Sequence, residues 1–218
     1  METTRIAELL QPFLGSPDEG QLTANGLSNI STYIDLLLRW NARVNLTAIR
    51  QPEEIVTRHF GESLFAARHL FPSATPEQSS VPIRLIDIGS GAGFPGMPIK
   101  IWAPHLDLTL IESNQKKATF LREVARTLTL MNVNVFPGRA RDFQDPPAQL
   151  VTLRAVERFE SALPTAADLV APHGRLALLI TKPQLARAHD VTPTFTWHAP
   201  LQIPLSSSRI LAVGVRER

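Results

Sequence analysis

The sequence predicts an α/β fold: a mostly parallel, twisted sheet with helices on both faces, preceded by a helical N-terminal extension. Two patterns predict it. Up to about residue 70 apolar positions recur at threes and fours, as in an amphipathic helix, whereas the remainder alternates short apolar runs with helical segments, as βαβ units do. A third observation, glycines directly after the first of those apolar runs, puts a tight ligand-binding turn at the sheet's edge.

In chain order, helices are expected over residues 4–14, 22–40 and 52–70; Leu22, Leu27, Ile30, Ile34, Leu37 and Leu38 mark the apolar stripe of the second. Pro52 with Glu53 and Glu54 makes a suitable first turn for the third. Residues 71–82 are rich in breakers and end the helical part. The division expected is therefore a helical region over 1–75 and a ligand-binding α/β domain over 76–218. Strands are expected at 83–88, 106–111, 133–136, 150–156 and 175–180, with helices near Lys100 and over 116–130 and 159–170. Two further strand-like runs, 195–203 and 209–215, have no helix between them and suit an antiparallel edge.

Composition narrows the chemistry. The chain has 218 residues, 44% of them hydrophobic, enough for a buried core without staples. With no cysteine there is no disulfide, thiolate metal site or cysteine nucleophile, and no metal is expected. Neither a leader pattern nor an apolar run long enough for a membrane span is present, so a cytoplasmic protein without membrane association is expected, acting as a monomer. The net charge of +2 predicts no nucleic-acid partner by itself. Residues 115–160 nevertheless hold eight Lys and Arg residues against five acids, a bias that fits a solvated face or an RNA contact.

The chemistry sits in Leu85-Ile86-Asp87-Ile88-Gly89-Ser90-Gly91-Ala92-Gly93-Phe94-Pro95-Gly96, an apolar strand carrying an acid and running into alternate glycines. A GxGxxG match from Gly91 to Gly96 would suggest a dinucleotide, but the glycine that directly follows the strand is Gly89. Framed from Asp87, the pattern is Asp-x-Gly-x-Gly-x-Gly, and it resembles motif I of class I methyltransferases. There the loop wraps the amino-acid and ribose portions of S-adenosylmethionine, with no pyrophosphate to hold. Glu112, at the end of the second strand, is spaced to accept the ribose hydroxyl protons. Arg154 interrupts the apolar run Val151-Thr152-Leu153-Arg154-Ala155-Val156 and must be paired or face a cleft.

Several separated motifs then make the chain similar to one family. Trp40-Asn41-x-x-x-Asn45-Leu46-Thr47-Ala48-Ile49, Arg58-His59-x-x-Glu62-Ser63, Gly93-Phe94-Pro95-Gly96-Met97-Pro98 and Leu153-Arg154-Ala155 together resemble the glucose-inhibited division protein B family, the small-subunit rRNA guanine-N7 methyltransferases. The resemblance implies a Rossmann-like class I methyltransferase domain, S-adenosylmethionine as cofactor, and 16S rRNA or the small ribosomal subunit as partner. The implied reaction is methylation of guanine N7, at position 527 in the family's rRNA numbering. It also implies cofactor contacts at Asp87, Gly89, Gly91, Gly93, Phe94, Glu112, Ala140, Arg141 and Arg154, and places Asn45, Arg58, His59, Ser63 and Arg154 on the catalytic side facing guanine and RNA. Arg141 stands where the family has an acid, Pro183 where it commonly has glycine, and Leu153 where it has serine.

The same residues admit structural roles: Asn45 as a helix C-cap, Arg58 with Glu62 as an i,i+4 ion pair, His59 as a packed histidine. Alternative functions are a class I methyltransferase acting on a protein or small molecule, and a non-catalytic nucleotide-binding regulator. An NAD-dependent enzyme ranks behind them, for lack of a hydride-transfer constellation.

Overall fold

The structure is a computed structural model that describes residues 1–15, 22–72, 82–156 and 159–217. Three helical segments come first. They are α1 (Thr3–Leu14), α2 (Ala24–Val44) and a long third run made of α3 (Pro52–Glu54), a π-helical stretch (Ile55–Gly61) and α4 (Glu62–Leu70). Thr23 caps α2 by accepting the Gly26 amide at 3.0 Å, and Asn45 ends it in the left-handed region at φ 50°. The sequence locates the third run but not its π-helical part, an i→i+5 widening.

The strands are β1 (Arg84–Ile88), β2 (Asp107–Ile111), β3 (Val133–Phe136), β4 (Ala148–Arg154), β5 (Val170–Thr181), β6 (Phe195–Trp197), β7 (Leu201–Gln202) and β8 (Arg209–Arg216). They form one sheet in the order β3-β2-β1-β4-β5-β8-β6, with β7 also on β8. Strands β1 to β5 pair in parallel; β8 runs antiparallel to β5, β6 and β7. The order reverses between β1 and β4, and this switch point opens a crevice at the carboxyl ends of the strands. Helices α5 (Gly96–Trp102), α6 (Gln115–Thr127), α7 (Phe159–Asp168) and α8 (Lys182–Val191) provide the crossovers.

Three expectations need correction. β4 ends at Arg154, two residues before the expected end, and β5 begins at Val170, five residues before the expected start. The run 195–203 is not one strand: it breaks into β6 and β7 around Pro200, whose missing N–H cannot join a ladder. No helix was expected at α8. Pro183 occupies the first turn, where its lost N–H is harmless, and Gln184 Oε1 accepts the Thr181 amide at 2.9 Å, half of a Thr-x-x-Gln capping box. The proposed boundary at residue 75 lies outside the described residues.

Alternation along the strands assigns each side chain to a face. Leu85, Leu150, Leu179 and Leu211 join one core with Ile6, Ile34, Leu37 and Leu64 of the N-terminal helices and Ile99 and Leu121 of α5 and α6. Ile86, Val151, Leu153, Leu178 and Ile210 face α7 and α8 in a second core. The helical extension thus shares a core with the sheet. Parity also puts Asp87 opposite Thr152, and places Arg154 and Arg209 on the face covered by the N-terminal helices.

Leu37 is fully buried in the shared core. Leu37→Ala is expected to cost about 2–5 kcal/mol in urea unfolding. Single-tryptophan variants retaining Trp40 or Trp197 are expected to report one common midpoint, because extension and sheet melt together.

Candidate active site

The loop after β1 is built by ties from three directions. Gly89 and Ser90 amides both donate to the Ile111 carbonyl of β2, at 2.9 and 3.1 Å. Asp87, fully buried, accepts the Gly96 amide at 3.2 Å and the Thr152 hydroxyl at 2.7 Å, so both carboxylate oxygens are committed to the loop and to β4. Burial pushes the Asp87 pKa up to about 6 against the pull of these hydrogen bonds, one from Ser90 and the charge of Arg154. The third tie comes from the extension: the buried Tyr33 hydroxyl of α2 donates to the Ala92 carbonyl at 2.5 Å, and its ring stacks on Phe94 at 5.5 Å. Gly93 sits at φ 92° where a Cβ would lie 2.1 Å from the Tyr33 hydroxyl, so only glycine allows this approach.

Across the loop stands Glu112, directly after β2. Its Oε2 accepts the Gly91 amide at 2.9 Å and its Oε1 the Asn114 amide at 2.7 Å, which leaves lone pairs on both oxygens for a ligand. Beyond β3, a 3₁₀ turn at Ala140–Asp142 completes this side. Arg141 there is exposed and only loosely paired with Asp142, at 3.9 Å.

The opposite wall belongs to the extension. His59 also stacks on Phe94, at 4.7 Å; its Nε2 is 2.8 Å from Thr47 Oγ1 and its Nδ1 3.2 Å from an Arg154 nitrogen. Burial, then the charges of Arg154 and Arg58, lower its pKa to about 3, so the imidazole is neutral. Arg154 also donates to the Arg58 carbonyl at 2.7 Å and to Glu62 Oε2 at 3.1 Å. Glu62, 1% exposed, further pairs through Oε1 with Arg58 at 3.1 Å and with Arg209 at 2.7 Å, the latter without hydrogen-bond alignment. One carboxylate thus faces three guanidiniums.

These walls enclose an open cleft of about 1180 Å³. Of the residues expected in the site, Gly89, Gly91, Phe94, Glu112, Ala140, Arg141, His59 and Arg154 line it. Asp87 and Gly93 do not; they shape the loop from behind. Asn45 is an exposed C-cap, Arg58 holds Glu62 from the rim, and the Ser63 hydroxyl turns back to the His59 carbonyl at 2.6 Å. Those three sit off the lining, as their helix chemistry alone dictates. Sequence reasoning missed Tyr33, Thr47, Glu62 as a hub, and Arg209. The parity of β4 and β8 is the one local signal that could have joined Arg154 and Arg209. Among the described residues no cluster of metal-ligating side chains occurs, and no helix is long and apolar enough to cross a membrane.

Residues 26–205 match the family model described as rRNA small subunit methyltransferase G. The chain belongs to this family. The ribosomal RNA small subunit methyltransferase G of Xanthomonas campestris pv. campestris (strain B100) is 37% identical over 213 residues, 90% of this chain and 95% of that one. The protein of the same description from Streptococcus pyogenes serotype M12 (strain MGAS2096) is 39% identical over 148 residues, 66% of this chain and 60% of its own. Among solved structures, the magnesium protoporphyrin IX methyltransferase of Synechocystis PCC 6803, with bound SAM, superposes with a TM-score of 0.63 at 12% identity, covering 87% of this chain and 97% of that one. The ribosomal protein L11 methylase of Lactobacillus delbrueckii subsp. bulgaricus gives 0.59 at 11% identity, over 74% and 79%. These likenesses establish the class I methyltransferase fold expected from motif I.

Glu62→Gln keeps the shape but strands three guanidiniums; a loss of about 3 kcal/mol or more is expected in chemical denaturation. His59 has its folded pKa at about 3, below the ordinary 6.5, so it favours the folded state fully above 6.5, and this is lost as pH falls towards 3. The melting temperature of the wild type is therefore expected to fall relative to His59→Gln between pH 6.5 and 4. Asp87, shifted the opposite way, contributes equally to both proteins and cancels in the difference.

Proposed function

We propose that the cleft binds S-adenosylmethionine against the glycine loop and presents guanine N7 of 16S rRNA to it from the side of the extension. The observation that carries this is the junction of the two walls at Phe94, whose ring stacks with both Tyr33 and His59, in a chain of this family. The residues present fit the cofactor. Gly89, Gly91 and Phe94 suit its amino-acid and ribose portions, the spare lone pairs of Glu112 suit the ribose hydroxyls, and Ala140 and Arg141 flank a place for the adenine.

When bound, S-adenosylmethionine supplies a methyl group on a sulfonium, leaving as S-adenosylhomocysteine while the positive charge passes to the purine. Guanine N7 already offers a lone pair, so the protein has no proton to remove and its task is alignment and exclusion of water. His59 agrees with that requirement: a base of pKa about 3, with Nδ1 engaged by Arg154, takes no proton at neutral pH. The excess of guanidinium over carboxylate at Arg58, Arg154 and Arg209 suits a phosphate of the RNA strand. The target base is unpaired or splayed when it enters. The substrate implies a cytoplasmic setting, and action as a monomer is part of the same proposal.

The test is incubation with labelled S-adenosylmethionine and small subunits from a strain lacking the enzyme, followed by nucleoside analysis and mapping. Label is expected in 7-methylguanosine at the guanine numbered 527 in the family's rRNA, and Arg154→Ala is expected to reduce it at least about 100-fold. Cofactor binding without label in the RNA would refute the assignment.

A further inference from the structure

Thr47 sits on the wall of the cleft, half-buried, with its backbone held on both sides by one buried side chain: Asn41 Oδ1 accepts the Thr47 amide at 3.0 Å and Asn41 Nδ2 donates to the Thr47 carbonyl at 2.9 Å. Its hydroxyl oxygen therefore has a fixed position. That oxygen has two lone pairs and one proton to place. The Ile49 amide donates to it at 3.1 Å, which uses one lone pair.

The second lone pair is decided from a distance. A guanidinium has donors and no acceptor, so the 3.2 Å contact from Arg154 makes His59 Nδ1 the acceptor. A neutral imidazole with a bare Nδ1 carries its proton on Nε2, and Nε2 lies 2.8 Å from Thr47 Oγ1. His59 is consequently the donor and Thr47 the acceptor. Both lone pairs are spent, and the hydroxyl proton has no partner within the wall.

A fixed, neutral donor on this wall has an evident use. A guanine offering N7 for methylation presents O6, an acceptor, on the same edge; adenine presents an amino group there. We propose that the Thr47 hydroxyl donates to O6 of the target guanine and thereby selects guanine over adenine beside the methylated atom. This rests on the function proposed above and adds a substrate contact to it. Arg154 orders the donor through His59 without touching O6, and N7 keeps its lone pair free.

The experiment pairs Thr47→Val and Thr47→Ser with small-subunit RNA carrying either guanine or 2-aminopurine at the target position; 2-aminopurine keeps N7 and the 2-amino group but lacks O6. The wild type is expected to prefer guanine by about 10- to 100-fold in kcat/KM. T47V is expected to lose that preference, over and above any slowing common to both bases from the lost acceptor for His59 and Ile49, and T47S to keep it. Unchanged S-adenosylmethionine affinity checks the fold, and T47A repeats the comparison with a smaller side chain. Equal slowing on both bases would make Thr47 a support for His59 only, and a preference that survives in T47V would assign O6 to another donor; either outcome overturns the proposal. A wild type that makes no 7-methylguanosine at all fails at the earlier step, the function itself.

Discussion

A single buried carboxylate fixes the geometry on which the site depends. Glu62 lies at the start of α4 and meets Arg154 from the end of β4 and Arg209 from the start of β8, so it binds the extension to two strands of the sheet at once. Burying a charge this deeply carries a desolvation cost that one partner rarely offsets. Here three guanidiniums share the carboxylate, and two of them, Arg58 and Arg209, retain some solvent exposure. The arrangement is specific because a different docking of α4 would separate its acid from Arg154 and Arg209 and leave it Arg58 alone. Hydrophobic contacts from Leu64 and Leu37 supply the bulk of the attachment, and the ion cluster selects its register.

With that register set, the extension forms half of the site. Tyr33 reaches the Ala92 carbonyl because α2 packs against α5 and α6, and Phe94 stacks with both Tyr33 and His59, rings contributed from two separate helical segments. The glycine loop therefore takes its shape from three sources: the β2 backbone through Ile111, β4 through Asp87 and Thr152, and the extension through Tyr33. Movement of any one would move the amides that line the cleft. A methyl transfer whose chemical drive resides in the cofactor gains most from this kind of rigidity, since misalignment by about 1 Å is costly.

The sheet, the glycine loop and the helices were legible because each rests on short-range pattern: period two, period 3.6, and glycines at the end of an apolar run. What escaped had a common cause. The α8 start rests on Pro183, a residue that ends helices inside and begins them at the first turn, and the sign of its effect depends on the Thr181 and Gln184 pair around it. Arg154 was legible as a residue in need of a partner, but its partner lies 92 positions earlier, and nothing local in Glu62 distinguishes a hub from half of an i,i+4 pair. Asn45 and Ser63 stand beside residues of the cleft wall in sequence, yet a helix end and a backbone carbonyl take their side chains. Adjacency in a motif conveyed that the segment matters without conveying which side chain faces the cleft.

The wall facing the cofactor loop is a directed chain of donors. It begins at Arg154, whose charge is balanced by Glu62, passes through a neutral His59, and ends at the Thr47 hydroxyl. Because a guanidinium cannot accept, the direction cannot reverse while His59 stays neutral, and burial together with two nearby arginines keeps it neutral. The wall can therefore face a purine with a donor that bears no formal charge. A cationic donor in that place would repel the positive charge that the purine acquires on methylation. With Arg154 two links back, behind His59 and paired with Glu62, its charge is kept away from the hydroxyl at the end of the chain.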